Sequence, residues 1–129
     1  MRRKRAFLWV LPLLAGCAGA DRQPVIGTVT FGDGSPVEGV VVLFECDQPP
    51  VSAFGKTDAN GDYRLGTSTT GDGAPCGDYR VLITVPGAAN PDQAPQRLFH
   101  PRFGDFETSG LRYTVVGGEN RFDIRLARP

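Results

Sequence analysis

Short runs of alternating apolar and polar residues, separated by glycine, proline, aspartate or asparagine, constrain this chain more than any other feature of it. In "GDYRVLITVPG" (77–87), Tyr79, Val81, Ile83 and Val85 fall on one side of an extended backbone and Arg80, Leu82 and Thr84 on the other, because successive strand side chains point to opposite faces. In "NRFDIRLARP", Phe122, Ile124 and Leu126 alternate with Asp123 and Arg125, giving one dry and one wet face. "VVVLFE" is nearly continuous in apolar residues, as a central strand should be. No segment carries a helical period, and 17 Gly and 11 Pro in 129 residues supply the turns. The pattern predicts strands over 25–31, 40–45, 52–57, 62–67, 78–85, 111–116 and 121–126. Seven such strands read as an all-β domain, an antiparallel β-sandwich of two sheets.

The N-terminus obeys different rules. Arg2, Arg3, Lys4 and Arg5 precede an apolar run over 6–14, which is shorter than the roughly 20 residues of a membrane-spanning helix and has the layout of an export signal. Leu14-Ala15-Gly16-Cys17 resembles the lipobox of bacterial lipoproteins. That resemblance implies cleavage before Cys17, diacylglycerol on its sulfur, and anchoring by acyl chains at about 0.8 kcal/mol per buried methylene. It further implies, from Ala18 after the cysteine, an address in the bacterial cell envelope at the outer membrane, facing the periplasm. The other reading is an ordinary secretory signal cut near Ala18 or Ala20. On the lipoprotein reading, 1–16 is a signal peptide, 17–24 a lipidated tether, and 25–128 a single domain.

Loss of 1–16 removes four of the fourteen Lys and Arg and no Asp or Glu, leaving ten against fourteen and a net charge of −4. A mildly acidic domain with scattered basic residues lacks the footprint of a nucleic-acid binder. With Cys17 assigned to the lipid, Cys46 and Cys76 remain as an even pair in an oxidising compartment. They form either a disulfide or two independent thiols.

"KTDANGDYRL" (56–65) places Asp58, Asn60 and Asp62 at alternate positions, as the first ligands of a helix-flanked calcium loop are placed. Such a loop needs glycine sixth and glutamate twelfth, where this chain has Tyr63 and Thr69. The flanks are strand-like, so the stretch is expected to be a tight hairpin turn with Asn60-Gly61 as its two central residues and Asp58 accepting the turn amides.

These motifs occur in a recognisable order. "VIGTVTFGDGSPVEGVVVLFE", then "GKTDANGDYRLGT", then "GAPCGDYRVLITV" resemble a carboxypeptidase regulatory-like, or transthyretin-like, domain with an immunoglobulin-like sandwich fold. The ending "PRFGDFETSGLRYTVVGGENRFDIRL" is similar to that of small bacterial lipoproteins built on the same sandwich. The resemblance spans about 25–126 and implies a stabilising or docking unit.

Catalytic groups are sparse. His100 is the one histidine, it precedes Pro101, and no G-x-S-x-G elbow is present. The purine-breakdown hydrolase of the transthyretin-like fold uses several histidines and a C-terminal Tyr-Arg-Gly-Ser, whereas this chain ends "IRLARP". Lys56, expected to be the lone lysine of the mature chain, lies beside the hairpin, a poor setting for an internal isopeptide bond. No catalytic residue, metal site or cofactor is therefore expected. The loop over 86–110 holds Phe99, His100, Arg102 and Phe103, with Arg97 and Phe106 nearby. Its aromatics either form a binding loop or fold back to cap the sandwich. The expectation is a non-catalytic, lipid-anchored envelope module with a structural or protein-interaction role, held at the membrane through its lipid and meeting an envelope protein. The alternative is a lipoprotein that binds carbohydrate or a small ligand through that loop.

Overall fold

A computed structural model of the chain describes residues 22–48, 50–86 and 98–129. The leader, Cys17 and Arg97 lie outside the described residues.

Alternation becomes burial along each long strand. β1 (Arg22–Gln23) leads into β2 (Val25–Phe31), whose Val25, Gly27, Val29 and Phe31 face inward. β3 (Val41–Asp47) buries Val42, Phe44 and Cys46, and β4 (Pro50–Lys56) buries Ala53 and Gly55. β5 (Asp62–Arg64), β6 (Ala74–Pro75) and β7 (Gly77–Thr84) follow, with Tyr79, Val81 and Ile83 inward on β7. A 3-10 turn at Pro101–Gly104 precedes β8 (Leu111–Val115), β9 (Asn120–Arg121) and β10 (Ile124–Leu126).

One sheet has the order β4-β3-β7-β8, antiparallel throughout, with the apolar β3 near its centre as predicted. The other is built on β2, flanked by β5 on one edge and by β9 and β10 on the other. Inner side chains of both sheets meet in one core around Phe44, Tyr79, Leu65, Ile124 and Leu126. The all-β sandwich predicted from the sequence is the fold.

Three local expectations need correction. β9 and β10 pair with β2 in parallel, not antiparallel. The chain interrupts the pairing at Phe122–Asp123, where the Phe122 amide bonds the Ile26 carbonyl at 2.9 Å and the Asp123 carboxylate takes the Thr28 amide at 3.0 Å. Second, within the tether expected over 17–24, Arg22 and Gln23 form a strand that pairs with Pro75 and Ala74. Gly73, at φ +88°, makes room for this strand, since a Cβ there would stand 2.2 Å from the Gln23 carbonyl oxygen. Third, the hairpin has three loop residues. The Asp58 carbonyl accepts from the Gly61 amide at 2.9 Å, and the Asp58 amide donates to the Asp62 carbonyl at 3.0 Å. Asp58 Oδ1 accepts the amides of Asn60 and Asp62, which favours a turn over Ala59 and Asn60 followed by left-handed Gly61.

Buried polar groups close on the scaffold. Asn120 receives the Tyr113 hydroxyl and the Val116 amide on its carbonyl, and donates to the carbonyls of Pro24, Val116 and Gly118. It thereby ties the start of β2 to the β8–β9 turn. The Tyr63 hydroxyl donates to the Phe122 carbonyl at 2.5 Å, and burial pushes its pKa well above the ordinary tyrosine value. Burial likewise pushes Tyr79 up to about 12.

Gly61 carries two demands, a φ of +80° and a Cβ position 2.5 Å from the Val29 carbonyl oxygen. Gly61→Ala is expected to cost more than about 1 kcal/mol in urea unfolding, since both backbone strain and a clash oppose it. The acid limb of stability has identifiable sources. Asp33 is held down at about 2, first by the Ser35 hydroxyl and then by the Ser35 amide and Arg128. Asp72 is held below its ordinary 3.8, first by the Thr67 amide and then by those of Thr69 and Ser68 and by the Arg22 charge. Depressed carboxylate pKa values stabilise the fold above their unfolded values, and that contribution disappears as pH falls through the folded ones. Tm should therefore be level above about pH 4 and fall toward pH 2, and Asp72→Asn should lower Tm at neutral pH while flattening the acid limb.

Candidate functional site

Of the two readings of the loop aromatics, binding loop or cap, Phe99 and Phe103 take the cap. Phe99 is 9% exposed and Phe103 only 2%, and their rings meet edge to face at 6.4 Å. The 3-10 turn explains the inward placement. Pro101 starts it, the His100 side chain accepts the Arg102 amide on Nδ1 at 3.1 Å, and the turn lays Phe103 against β7. The His100 amide donates to the Ala127 carbonyl at 2.8 Å, and the Arg102 guanidinium covers the Phe103 ring at 4.2 Å. Ser109, buried beside this turn, donates its hydroxyl to the Val81 carbonyl and accepts the Leu111 amide. The aromatics thus cap the core.

Of the two readings left open for Cys46 and Cys76, the bridge between them is not made. Cys46 is a buried free thiol on the core face of β3, and Cys76 is disulfide-bonded to another partner. The position facing Cys46 is Gly77, where a Cβ would stand 3.4 Å from the Cys46 sulfur. Cys17, the remaining cysteine of the sequence, lies outside the described residues. Asp58 spends its carboxylate on the turn and Asp62 accepts the Thr28 hydroxyl at 2.6 Å. Among the described residues no three His, Cys, Asp or Glu side chains converge as a metal site would require.

Among the described residues, one uncommitted surface is a groove of about 760 Å³ along the seam between the two sheets. Glycines create it. A Cβ on Gly55 would stand 2.4 Å from the Arg64 carbonyl oxygen, so only glycine lets β4 and β5 approach this closely. Phe54 and Gly66 then exchange backbone hydrogen bonds at 3.0 and 2.9 Å across the seam, turning the Phe54 ring out to 57% exposure. On the outer face of the other sheet, β-pairing sets Ile26 directly between Arg64 and Arg121 in one cross-strand row. Ile26 is 38% exposed.

The charges of this groove differ in how far they are already engaged. Arg121 is shared between Asp123 at 3.1 Å and the Thr28 hydroxyl at 3.0 Å. The Lys56 and Arg64 side chains have no hydrogen-bond or ion-pair partner among the described residues. Thr67 to Thr70 close one end, where the Arg22 guanidinium donates to the Ser68 hydroxyl at 2.8 Å and approaches the Asp72 carboxylate at 3.7 Å. The groove's lining includes neither histidine nor cysteine. Its equipment is an exposed ring, an apolar side chain and unengaged cations beside the Asp58 and Asp62 carboxylates.

The sequence reading missed Phe54 and Ile26. A signal existed for Phe54, an aromatic on the outward phase of its strand between Ala53 and Gly55, both of which are buried. Ile26 falls on the outward phase of β2, but nothing local told which residues of two other strands would flank it.

No protein-family model matches the chain, and no curated protein sequence matches it. Among solved structures the chain is similar to a 9R-lipoxygenase from Cyanothece PCC8801, at 16% identity and a TM-score of 0.38 over 98% of this chain and 18% of that one. The chain thus spans less than a fifth of that enzyme's length, and a likeness at this level carries no argument about activity.

Paired alanine substitutions separate core from surface. Phe103→Ala should destabilise the domain by about 3 to 5 kcal/mol, as truncation of a buried ring does, whereas Phe54→Ala should change the unfolding free energy by no more than about 0.5 kcal/mol.

Proposed function

We propose that this protein is a non-catalytic, lipid-anchored module of the bacterial cell envelope that works by surface contact, in a structural or protein-interaction role. The observation that carries this reading is the contrast between its polar groups. His100, Ser109, Asp58 and Asn120 are bound into turns and strand junctions, while the seam groove keeps Phe54, Ile26, Lys56 and Arg64 available. A domain whose reactive side chains hold its own backbone, and whose spare apolar and cationic groups share one surface, is built to dock.

The anchoring half of the proposal rests on the Leu14-Ala15-Gly16-Cys17 stretch and the basic and apolar segments before it. A thioether to diacylglycerol and a disulfide to Cys76 are mutually exclusive uses of the Cys17 sulfur. Intact mass spectrometry of the exported protein is expected to show loss of 1–16 and an acylated Cys17. A mature protein with an unmodified terminus, or with Cys17 in a disulfide, would contradict the anchoring. The docking half is read by a photo-crosslinking residue at Arg64 in growing cells. It should give a discrete adduct with an envelope component, and the absence of any adduct at that position would contradict docking at the seam.

Carbohydrate or small-ligand binding through the 86–110 loop is the other reading considered. It loses its main support because Phe99 and Phe103, the rings that would stack on a sugar, are inside the core.

A further inference from the structure

We infer that the seam groove binds an uncharged oligosaccharide, with a sugar ring laid on Phe54 and its hydroxyls bridging the Lys56 and Arg64 cations and the Asp58 and Asp62 carboxylates. This rests on the reading of the seam as the contact surface and names the chemistry of what it contacts; it is independent of how the Cys17 sulfur is used.

β4 and β5 approach each other antiparallel and are joined at two places, by the backbone bonds between Phe54 and Gly66 and by the Asp58 amide donating to the Asp62 carbonyl. Counting between these two contacts sets Lys56 across from Arg64. Phe54 and Lys56 share the outward phase of β4, and Asp62 and Arg64 that of β5. The groove therefore carries three rungs about 7 Å apart. The first is an exposed ring facing a glycine, the second two cations, the third two carboxylates. Like charges set across from one another cost stability, so the charged rungs do nothing to hold the hairpin together.

The polar groups of these rungs are held in place with bonding capacity to spare. Asp58 and Asp62 each use Oδ1 on the fold, for the amides of Asn60 and Asp62 and for the Thr28 hydroxyl. Neither Oδ2 has a partner among the described residues, and the Lys56 ammonium and Arg64 guanidinium are equally unengaged. The Arg64 stem is laid toward the exposed Thr69 and Thr70, since its Cδ stands 3.0 Å from where a Cβ on Gly71 would be. Two carboxylates offset two cations, so the groove exerts no net pull on an ion, and a ligand of one sign would meet repulsion one rung away from attraction. A sugar hydroxyl suits both rungs, because it accepts from a cation and donates to a carboxylate. The apolar C–H face of a pyranose suits Phe54, which at 57% is the most exposed large apolar side chain among the described residues. The volume of about 760 Å³ lies within the range of about 300 to 1,000 Å³ usual for small-molecule sites.

The test is calorimetric titration of the exported protein with three neutral saccharides, cellotetraose, maltotetraose and chitotetraose. At least one should bind saturably with millimolar or tighter affinity and shift the amide resonances of Arg64 and Gly66. Phe54→Ala should weaken that binding about five-fold or more, and Phe54→Trp should retain it. Asp62→Asn and Arg64→Gln should each weaken it about three-fold or more. Val116→Ala, at an apolar side chain 48% exposed but outside the groove, should leave it unchanged. A roughly ten-fold rise in salt should alter the affinity by less than about two-fold, because no net charge is neutralised.

Failure of all three saccharides to bind at about 10 mM would overturn the inference, as would binding indifferent to Phe54→Ala. Affinity abolished by salt overturns it equally, since that marks an ionic ligand such as a charged peptide. Thermal melting confirms that each variant is folded. The photo-crosslink at position 64 keeps the two readings apart. A protein adduct there with no saccharide bound defeats the glycan alone and leaves docking at the seam, whereas neither adduct nor saccharide defeats both.

Discussion

At Gly27 the sandwich leaves room for backbone and nothing more. A Cβ there would stand 1.9 Å from the Phe122 carbonyl oxygen and 2.7 Å from the Tyr63 ring and hydroxyl. Because that space is empty, the Tyr63 ring crosses over β2 and its hydroxyl reaches the Phe122 carbonyl, linking the strands on either edge of β2. The interruption between β9 and β10 is held by the same contact. It delivers the Phe122 ring to Tyr113 at 5.1 Å and to Phe44 at 6.1 Å, so residues of both sheets meet in one aromatic cluster. A methyl group at this point would push apart a hydrogen bond, a strand pairing and a ring stack together.

The seam follows from a similar economy on the other side. Gly55 allows β4, at the edge of one sheet, to meet β5, at the edge of the other. Two edges that would otherwise present unpaired backbone instead close on each other at Phe54 and Gly66. Closing the edge turns Phe54 outward, and the outward phase of β2 brings Ile26 to the surface between Arg64 and Arg121. The groove is in this sense a by-product of how the two sheets are joined, which is why its residues come from four strands distant in sequence.

Much of the architecture was legible because burial on a pleated strand leaves a period of two. The strand predicted over 25–31 has those bounds, and Tyr79, Val81 and Ile83 face inward as their alternation requires. What could not be read locally was pairing. Phe122 and Ile124 keep their apolar phase whether β10 runs parallel or antiparallel to its neighbour, so the pattern is silent on direction. β1 has only two residues and owes its place to Gly73 and to Asn120, which lie about 50 and 100 positions away. The loop aromatics were ambiguous for the same reason, since only the tertiary position of the 3-10 turn decides that Phe103 enters the core. The seam groove was the least legible feature, because it depends on a contact between β4 and β5 that only glycines permit.

If the space at Gly27 organises the fold, the most direct measurement compares alanine at two glycines by urea unfolding. Gly27→Ala meets backbone at once, whereas Gly32→Ala has no atom within 4 Å of the new methyl. The expected result is a loss of about 3 kcal/mol or more for Gly27→Ala, or failure to fold, against a change within about 0.5 kcal/mol for Gly32→Ala. Equal stabilities of the two variants would contradict the claim that Gly27 is the point at which the edges of β2 and the two sheets are held together.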